Sequence, residues 1–174
     1  MNILGIFHSY SDPSAALVRD GKVVAFAEEE RLTLVKHARG NFPSRSVEYV
    51  LNAGDLPITE IDFIAQAWDC EFYDSGEMAA VYDRINAEYP KTQEDLDYQE
   101  KHLEDLSSQS QKSIILRALR HQFGDVQFPP IVFVNHHFAH ACMAYFHSGM
   151  KDALVLTVDG SGEAVTTAIW KGQD

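Results

Sequence analysis

The chain has 174 residues, of which 45% are apolar, and its 26 acidic against 14 basic side chains give a formal charge of −12. That apolar content supports a core of ordinary domain size and argues against a disordered chain, while the negative field repels nucleic-acid backbones and anionic lipid surfaces. The opening MNILGIF is short, apolar and uncharged, and polar HSYSD follows at once, so neither a signal peptide nor a spanning helix fits; Cys70 and Cys142 lie far apart with no CxxC spacing, and a reducing, cytoplasmic setting is expected.

NILGIF and then SAALVRDGKVVAFAEEE predict three strands, the second and third joined through the two-residue turn Asp20-Gly21. FPSRSVEYVLNAG predicts a helix: Ser44 caps after Pro43, Val47, Val50 and Leu51 fall at helical spacing, and Gly54 stands at the stop. IDFIAQAW, residues 61 to 68, is a continuous apolar run of strand length, as in a strand buried on both faces. Residues 70 to 126 are polar, acidic and rich in helix formers, and predict a long helix or a helix pair. Ile114, Ile115, Leu116 and Leu119 give it an apolar side, and its many carboxylates form a solvated face. IVFV is a short strand, a helix follows to about Gly149, and DALVLTVDGSGEAVTTAIW repeats the pattern of strand, DG-containing turn and strand.

The helix that follows IVFV opens with NHHFAHA, which sets His136 and His140 four residues apart. Side chains at i and i+4 lie about 40° apart around a helix axis, so both imidazoles can reach one ion. Zinc or non-haem iron requires at least one more protein ligand, usually a carboxylate, and the spacing does not single one out. The plainer alternative is that His136 and His137 are buried helix-start residues satisfied by backbone groups. Cys142, on the same helix, reads as core packing. In DGSGE, residues 159 to 163, two glycines let backbone N–H groups approach a phosphate or ribose, although such a segment is also an ordinary hairpin turn.

The element order, three strands, helix, strand, helices, strand, helix and a new hairpin, matches one ribonuclease-H-like unit and the opening of a second. The expected fold is α/β, of the ribonuclease-H-like/actin-like ATPase type, a mixed sheet flanked by helices. Residues 1 to 150 would form the first subdomain, with 70 to 126 its mostly helical segment. Residues 151 to 174 would be the opening hairpin of a second, truncated subdomain.

Taken in order, MNILGI, SDPSAALVRDGKVVAFAEEERLTLVKH, FPSRSVEYVL and VNHHFAHACMAYFHSGMKDALVLTVDGSGEAVTT resemble the N-terminal part of the O-carbamoyltransferases that act on antibiotics and nodulation factors. The likeness covers residues 2 to 68 and 131 to 170. It implies that a YrdC-like domain of the same full-length polypeptide makes carbamoyl-adenylate from carbamoyl phosphate and ATP. The part resembling this chain then passes the carbamoyl group to a hydroxyl of a small-molecule or sugar acceptor. His136 and His140 match the family's iron-binding pair, with Fe, or Zn or Mn, as the expected divalent metal. The family's third ligand is an aspartate further along, for which no position here is a clear match.

By the same resemblance Gly160, Ser161 and Gly162 are nucleotide-loop positions, Asp159 holds a metal-associated water or a nucleotide hydroxyl, and Glu163 orients a substrate group. Ser11, Asp12 and Ser14 occupy the first phosphate loop, with Asp12 catalytic and Ser14 cofactor-binding. Ser11 stands where the family has a histidine, and an unassisted hydroxyl is no base near neutral pH. His8, three residues upstream, is the candidate replacement, against the reading of an ordinary surface or loop histidine. Arg31, Lys36 and His37 match the family's basic block, Arg31 and Lys36 as partners for phosphate or the carbamoyl oxygen, against the reading of a solvated strand end balanced by Glu28, Glu29 and Glu30. The rival expectations are a nucleotide-binding regulatory module without transfer activity and, third, a sugar-kinase-like ATPase.

Overall fold

Alternating burial builds the first three strands. β1 (Asn2–Phe7) buries Leu4 and Ile6, β2 (Ser14–Arg19) buries Ala15 and Leu17, and β3 (Lys22–Glu28) completes an antiparallel meander in which Leu4 pairs with Leu17. The turn between β2 and β3 is the expected one, Asp20 at φ 51° and Gly21 at φ 76°, the pair of positive values that a two-residue hairpin loop demands. This computed structural model describes residues 1–8 and 11–173. The chain divides into two units, residues 1–67 with 112–132 and residues 68–111 with 133–174.

In the first unit α1 (Glu29–Thr33) follows β3 directly, α2 (Ser44–Ala53) lies against the sheet, and β4 (Phe63–Gln66) pairs in parallel with β1. Leu4, Ile6, Leu17, Val47, Val50, Leu51 and Ile64 form the core. Gly54, after α2, is required by close approach, because a Cβ there would overlap Leu17 Cδ2. The expected solvated strand end at Glu28 to Glu30 turns out differently. Glu29 is 3% exposed, and its carboxylate accepts from Arg45 N (3.2 Å), Ser46 N (2.8 Å) and Ser46 Oγ (2.8 Å). These are amides of the first turn of α2, whose N-cap, Pro43, offers no side-chain acceptor, so Glu29 caps the helix from a distant point in the chain.

The segment expected to be one long helix or a pair is four helices, α3 (Cys70–Asp74), α4 (Glu77–Glu88), α5 (Gln93–Asp105) and α6 (Ser108–Phe123). The breaks have local causes: Gly76 sits at φ 83°, Tyr89 is forced extended by Pro90, and Thr92 and Asp95 make a reciprocal capping box at the start of α5. From α6, Ile115 and Leu119 enter the first unit's core, which Ile131 of β5 (Ile131–Phe133) also joins. The sheet order is β3-β2-β1-β4-β5, an antiparallel meander followed by a parallel crossover strand. The fold is α/β, a mixed sheet flanked by helices, with the strand order expected of a ribonuclease-H-like unit.

In the second unit α4 and α5 are joined by a doubled amide pair, Asn86 with Gln99 at 2.8 and 3.1 Å, and Tyr73, Tyr82 and Tyr98 surround His102. α7 (His136–Ser148) is capped by Asn135, whose Oδ1 accepts from Phe138 N, and ends at Gly149 in the left-handed conformation, φ 71°. β6 (Asp152–Gly162) and β7 (Val165–Gln173) then form a two-stranded antiparallel sheet. The DG dipeptide is not the hairpin turn. β6 runs on through Gly162, which pairs with Val165, and the chain reverses at Glu163 and Ala164, with a register shift between Val158 and Gly162. Among the described residues no helix is long and apolar enough to cross a membrane.

Candidate metal centre

β6 follows α7 and runs back toward its start, and that return builds the site. From His136 to Ser148 a helix advances about 18 Å, and the seven steps from Asp152 to Asp159 bring a strand back about 23 Å. A residue 19 positions after His140 is thereby returned to the helix start. His136 Nε2 lies 2.9 Å from Asp159 Oδ2, His140 Nε2 lies 3.2 Å from the same oxygen, and the two Nε2 atoms are 3.1 Å apart. His136 is largely buried, while His140 and Asp159 are 52% and 41% exposed, so the triad faces outward from a fixed side.

Asp159 Oδ2 can accept from both imidazoles, but the two Nε2 atoms then crowd each other at 3.1 Å around one oxygen. Each Nε2 carries either a proton or a lone pair along one direction, and the carboxylate only accepts. If both nitrogens are protonated they face each other across 3.1 Å; if one is not, its lone pair faces the carboxylate. One cation shared by all three removes the conflict. The edge lengths agree, since bonds of about 2.1 Å at right angles separate donors by about 3.0 Å, whereas a tetrahedron gives about 3.4 Å. Two imidazoles and one carboxylate on one face suit iron, zinc or manganese, so the residues present fit such an ion. Asp159 is held below the ordinary carboxylate range by the hydrogen bond from His136 and then by the N–H of Gly160 at 2.6 Å, which keeps it in the ligating form.

Neighbouring groups fix the triad. Glu163, 8% exposed and at φ 47°, accepts from Asp69 N (2.7 Å), His136 N (3.1 Å) and Asn135 Nδ2 (2.9 Å), tying the hairpin to the starts of α3 and α7. The Trp68 ring lies 5.2 Å from that of His136. Gly162 permits close approach, because a Cβ there would stand 2.6 Å from His137 Cδ2 and 2.9 Å from His136 Cδ2, whereas one at Gly160 would meet open space. His137 is 1% exposed and spans the hairpin, with Nδ1 2.9 Å from Thr157 Oγ1 and Nε2 2.8 Å from the Val165 carbonyl. The plainer reading of a satisfied, buried histidine therefore describes His137 and not His136.

Of the remaining candidates, Ser161 is exposed beside the triad and Glu163 has its carboxylate engaged by three N–H donors. His8, Asp12, Ser14, Arg31 and Lys36 belong to the first unit. Ser14 opens β2 opposite Glu28, Arg31 pairs with Glu28 (3.0 Å) and Glu30 (3.3 Å), and Lys36 is exposed. Asp12 hydrogen-bonds His37. His8 is no surface histidine: it is 2% exposed and lines a cavity of about 420 Å³ with Phe42, Ser44, Arg117 and His121. Burial lowers its pKa to about 4. Sequence reasoning missed Asp159 as the third donor; the return of the strand after α7 toward the helix start was the available signal.

The site and fold define an α/β protein with a two-histidine, one-carboxylate centre at a helix start. The chain belongs to the family described as carbamoyltransferase N-terminus, which it matches over residues 2–174. It is 34% identical to an uncharacterized protein of Synechocystis sp. over 99% of this chain and 27% of that protein. It is 35% identical to the nodulation protein NolNO of Sinorhizobium fredii over 87% of this chain and 20% of that protein. The chain thus spans about a quarter or less of the length of these two relatives. Among solved structures it is similar to YeaZ from Pseudomonas aeruginosa, at 10% identity and a TM-score of 0.42, covering 97% of this chain and 66% of that one.

Proposed function

We propose that this chain takes part in transferring a carbamoyl group from carbamoyl-adenylate to a hydroxyl of a small-molecule or sugar acceptor. Carbamoyl phosphate and ATP are the source of the adenylate, through a YrdC-like domain. The observation that carries the reading is the His136, His140 and Asp159 triangle in a chain of the carbamoyltransferase family. A divalent iron, zinc or manganese ion bound there would supply Lewis-acid polarisation of an oxygen on the transferred group, with no redox step.

The chain's own residues do the rest. Glu163 and Gly162 hold His136 against the hairpin, and the ionised Asp159 keeps the cluster attractive to a cation. The acceptor oxygen attacks the carbamoyl carbon, the bond from that carbon to the adenylate oxygen breaks, and AMP leaves with the bonding pair while a base takes the acceptor's proton. The Ser11 departure favours one rival, a nucleotide-binding module without transfer chemistry. The test supplies full-length protein with carbamoyl phosphate, ATP and a panel of hydroxylated acceptors, beside elemental analysis of wild type and His140→Ala. Carbamoylated product and metal lost from the variant are expected. Equal metal in both proteins, or nucleotide binding without product, overturns the reading.

A further inference from the structure

The cavity that His8 lines lies wholly within the first unit. Its inner end is aromatic: His8 is 2% exposed, and the half-buried Phe42 ring stands 5.6 Å away. One stripe of α6 makes a wall, because Ile114, Arg117, Ala118 and His121 recur at helical spacing on one face. Ile114 and Ala118 are half-buried, while Arg117 and His121 are exposed and form the solvent side. At about 420 Å³ the cavity falls among those that hold small organic ligands, roughly 300–1,000 Å³.

The charges on this wall run against the rest of the chain. With 26 acidic side chains to 14 basic ones, cations elsewhere find carboxylates, as Arg31 does at Glu28 and Glu30 and Arg120 at Asp125. The 16 residues of α6 include no Asp or Glu, and the side chains of Arg117 and His121 form no hydrogen bond or ion pair among the described residues. The helix dipole accounts for Arg120 and His121 in the last turn, but Arg117 lies a turn earlier, where that attraction has faded. We propose that the cavity binds a small organic anion, a compact apolar body bearing a carboxylate or a phosphate monoester. Arg117 pairs with two oxygens of the anionic head, since its planar fork matches them and keeps its charge in any surroundings. His121 donates a ring N–H beside it, and the apolar body packs on Phe42, Ile114 and Ala118. This binding is independent of carbamoyl transfer.

The test titrates the full-length protein, its histidine rings labelled with ¹³C, with benzoate, phenyl phosphate and the neutral benzyl alcohol. The His121 resonance, identified by its absence from His121→Gln, reports on this cavity and not on any other anion site. Benzoate or phenyl phosphate should move it saturably with a Kd of about 1 mM or tighter, and the tighter of the two tells carboxylate from phosphate. Arg117→Gln should weaken that binding about tenfold or more, and because Arg117 is exposed and unpaired its loss leaves the fold intact. Arg120→Gln removes the same charge from the same helix and should stay within about threefold of wild type, since a charge outside the cavity is largely screened. Equal weakening by both substitutions would reduce the effect to diffuse attraction and overturn the proposal. So would benzyl alcohol binding as tightly as the anions, or no saturable shift with either anion up to about 10 mM.

Discussion

His8 shows how one buried imidazole couples the fold to pH. It follows β1 at 2% exposure, with the Phe42 ring 5.6 Å away, and burial lowers its pKa from 6.5 to about 4. The unfolded chain takes up this proton near pH 6.5 and the folded chain only near pH 4, so between those values the unfolded state binds more protons. The stabilisation is complete above pH 6.5 and is lost as pH falls through that window, about 3 kcal/mol in all and about 2 kcal/mol of it by pH 5. Urea midpoints at pH 7 and pH 5 should therefore converge in His8→Leu relative to wild type. An unchanged pH difference would show that His8 is already charged in the folded protein, or that its burial does not persist in solution.

At the scale of elements, α2 depends on a residue outside it. Glu29 supplies the acceptor for the amides of Arg45 and Ser46, and nothing in the local sequence of α2 announces this, because Pro43 and Ser44 look like an ordinary helix start. Glu29→Ala leaves buried donors without their charged partner and is expected to cost roughly 2–3 kcal/mol, read as a lower urea midpoint, with Glu29→Gln losing less. An alanine variant as stable as wild type would mean that water replaces the carboxylate. The same contrast explains what the sequence disclosed. Strands and helices with a strong period, the 2–28 meander, α2, β4 and α7, were legible because alternation and helical spacing are local. Long-range partners were not: Glu29 read as part of a solvated charge run, and Asp159 as a loop residue, since each role depends on a segment 16 to 23 residues away. The DG dipeptide misled in a further way. A turn signal at Asp159-Gly160 lost to strand pairing that continued to Gly162.

For the whole molecule, the two units offer separate optical handles. The chain has two tryptophans, Trp68 and Trp170, and both belong to the second unit, as do His136, His140 and Asp159. Tryptophan fluorescence therefore follows the unit that carries the triad, while far-ultraviolet circular dichroism follows both. A ligand that binds only the folded state adds RT ln(1 + [L]/Kd), about 2.7 kcal/mol at a hundred times Kd. Thermal unfolding of metal-stripped protein followed by fluorescence should move upward on titration with Zn²⁺ or Mn²⁺. His140→Ala should remove the shift while retaining the unfolding signal. Fe²⁺ or Mn²⁺ bound at the triad, being paramagnetic, should also quench emission, since Trp68 stands 5.2 Å from the His136 ring, and Zn²⁺ should quench far less. Quenching without a thermal shift would indicate a cation held loosely by the chain's excess of carboxylates and not by the triad. A shift that survives in His140→Ala would point to the same conclusion, because the stabilising ion would then be bound without one of the three side chains.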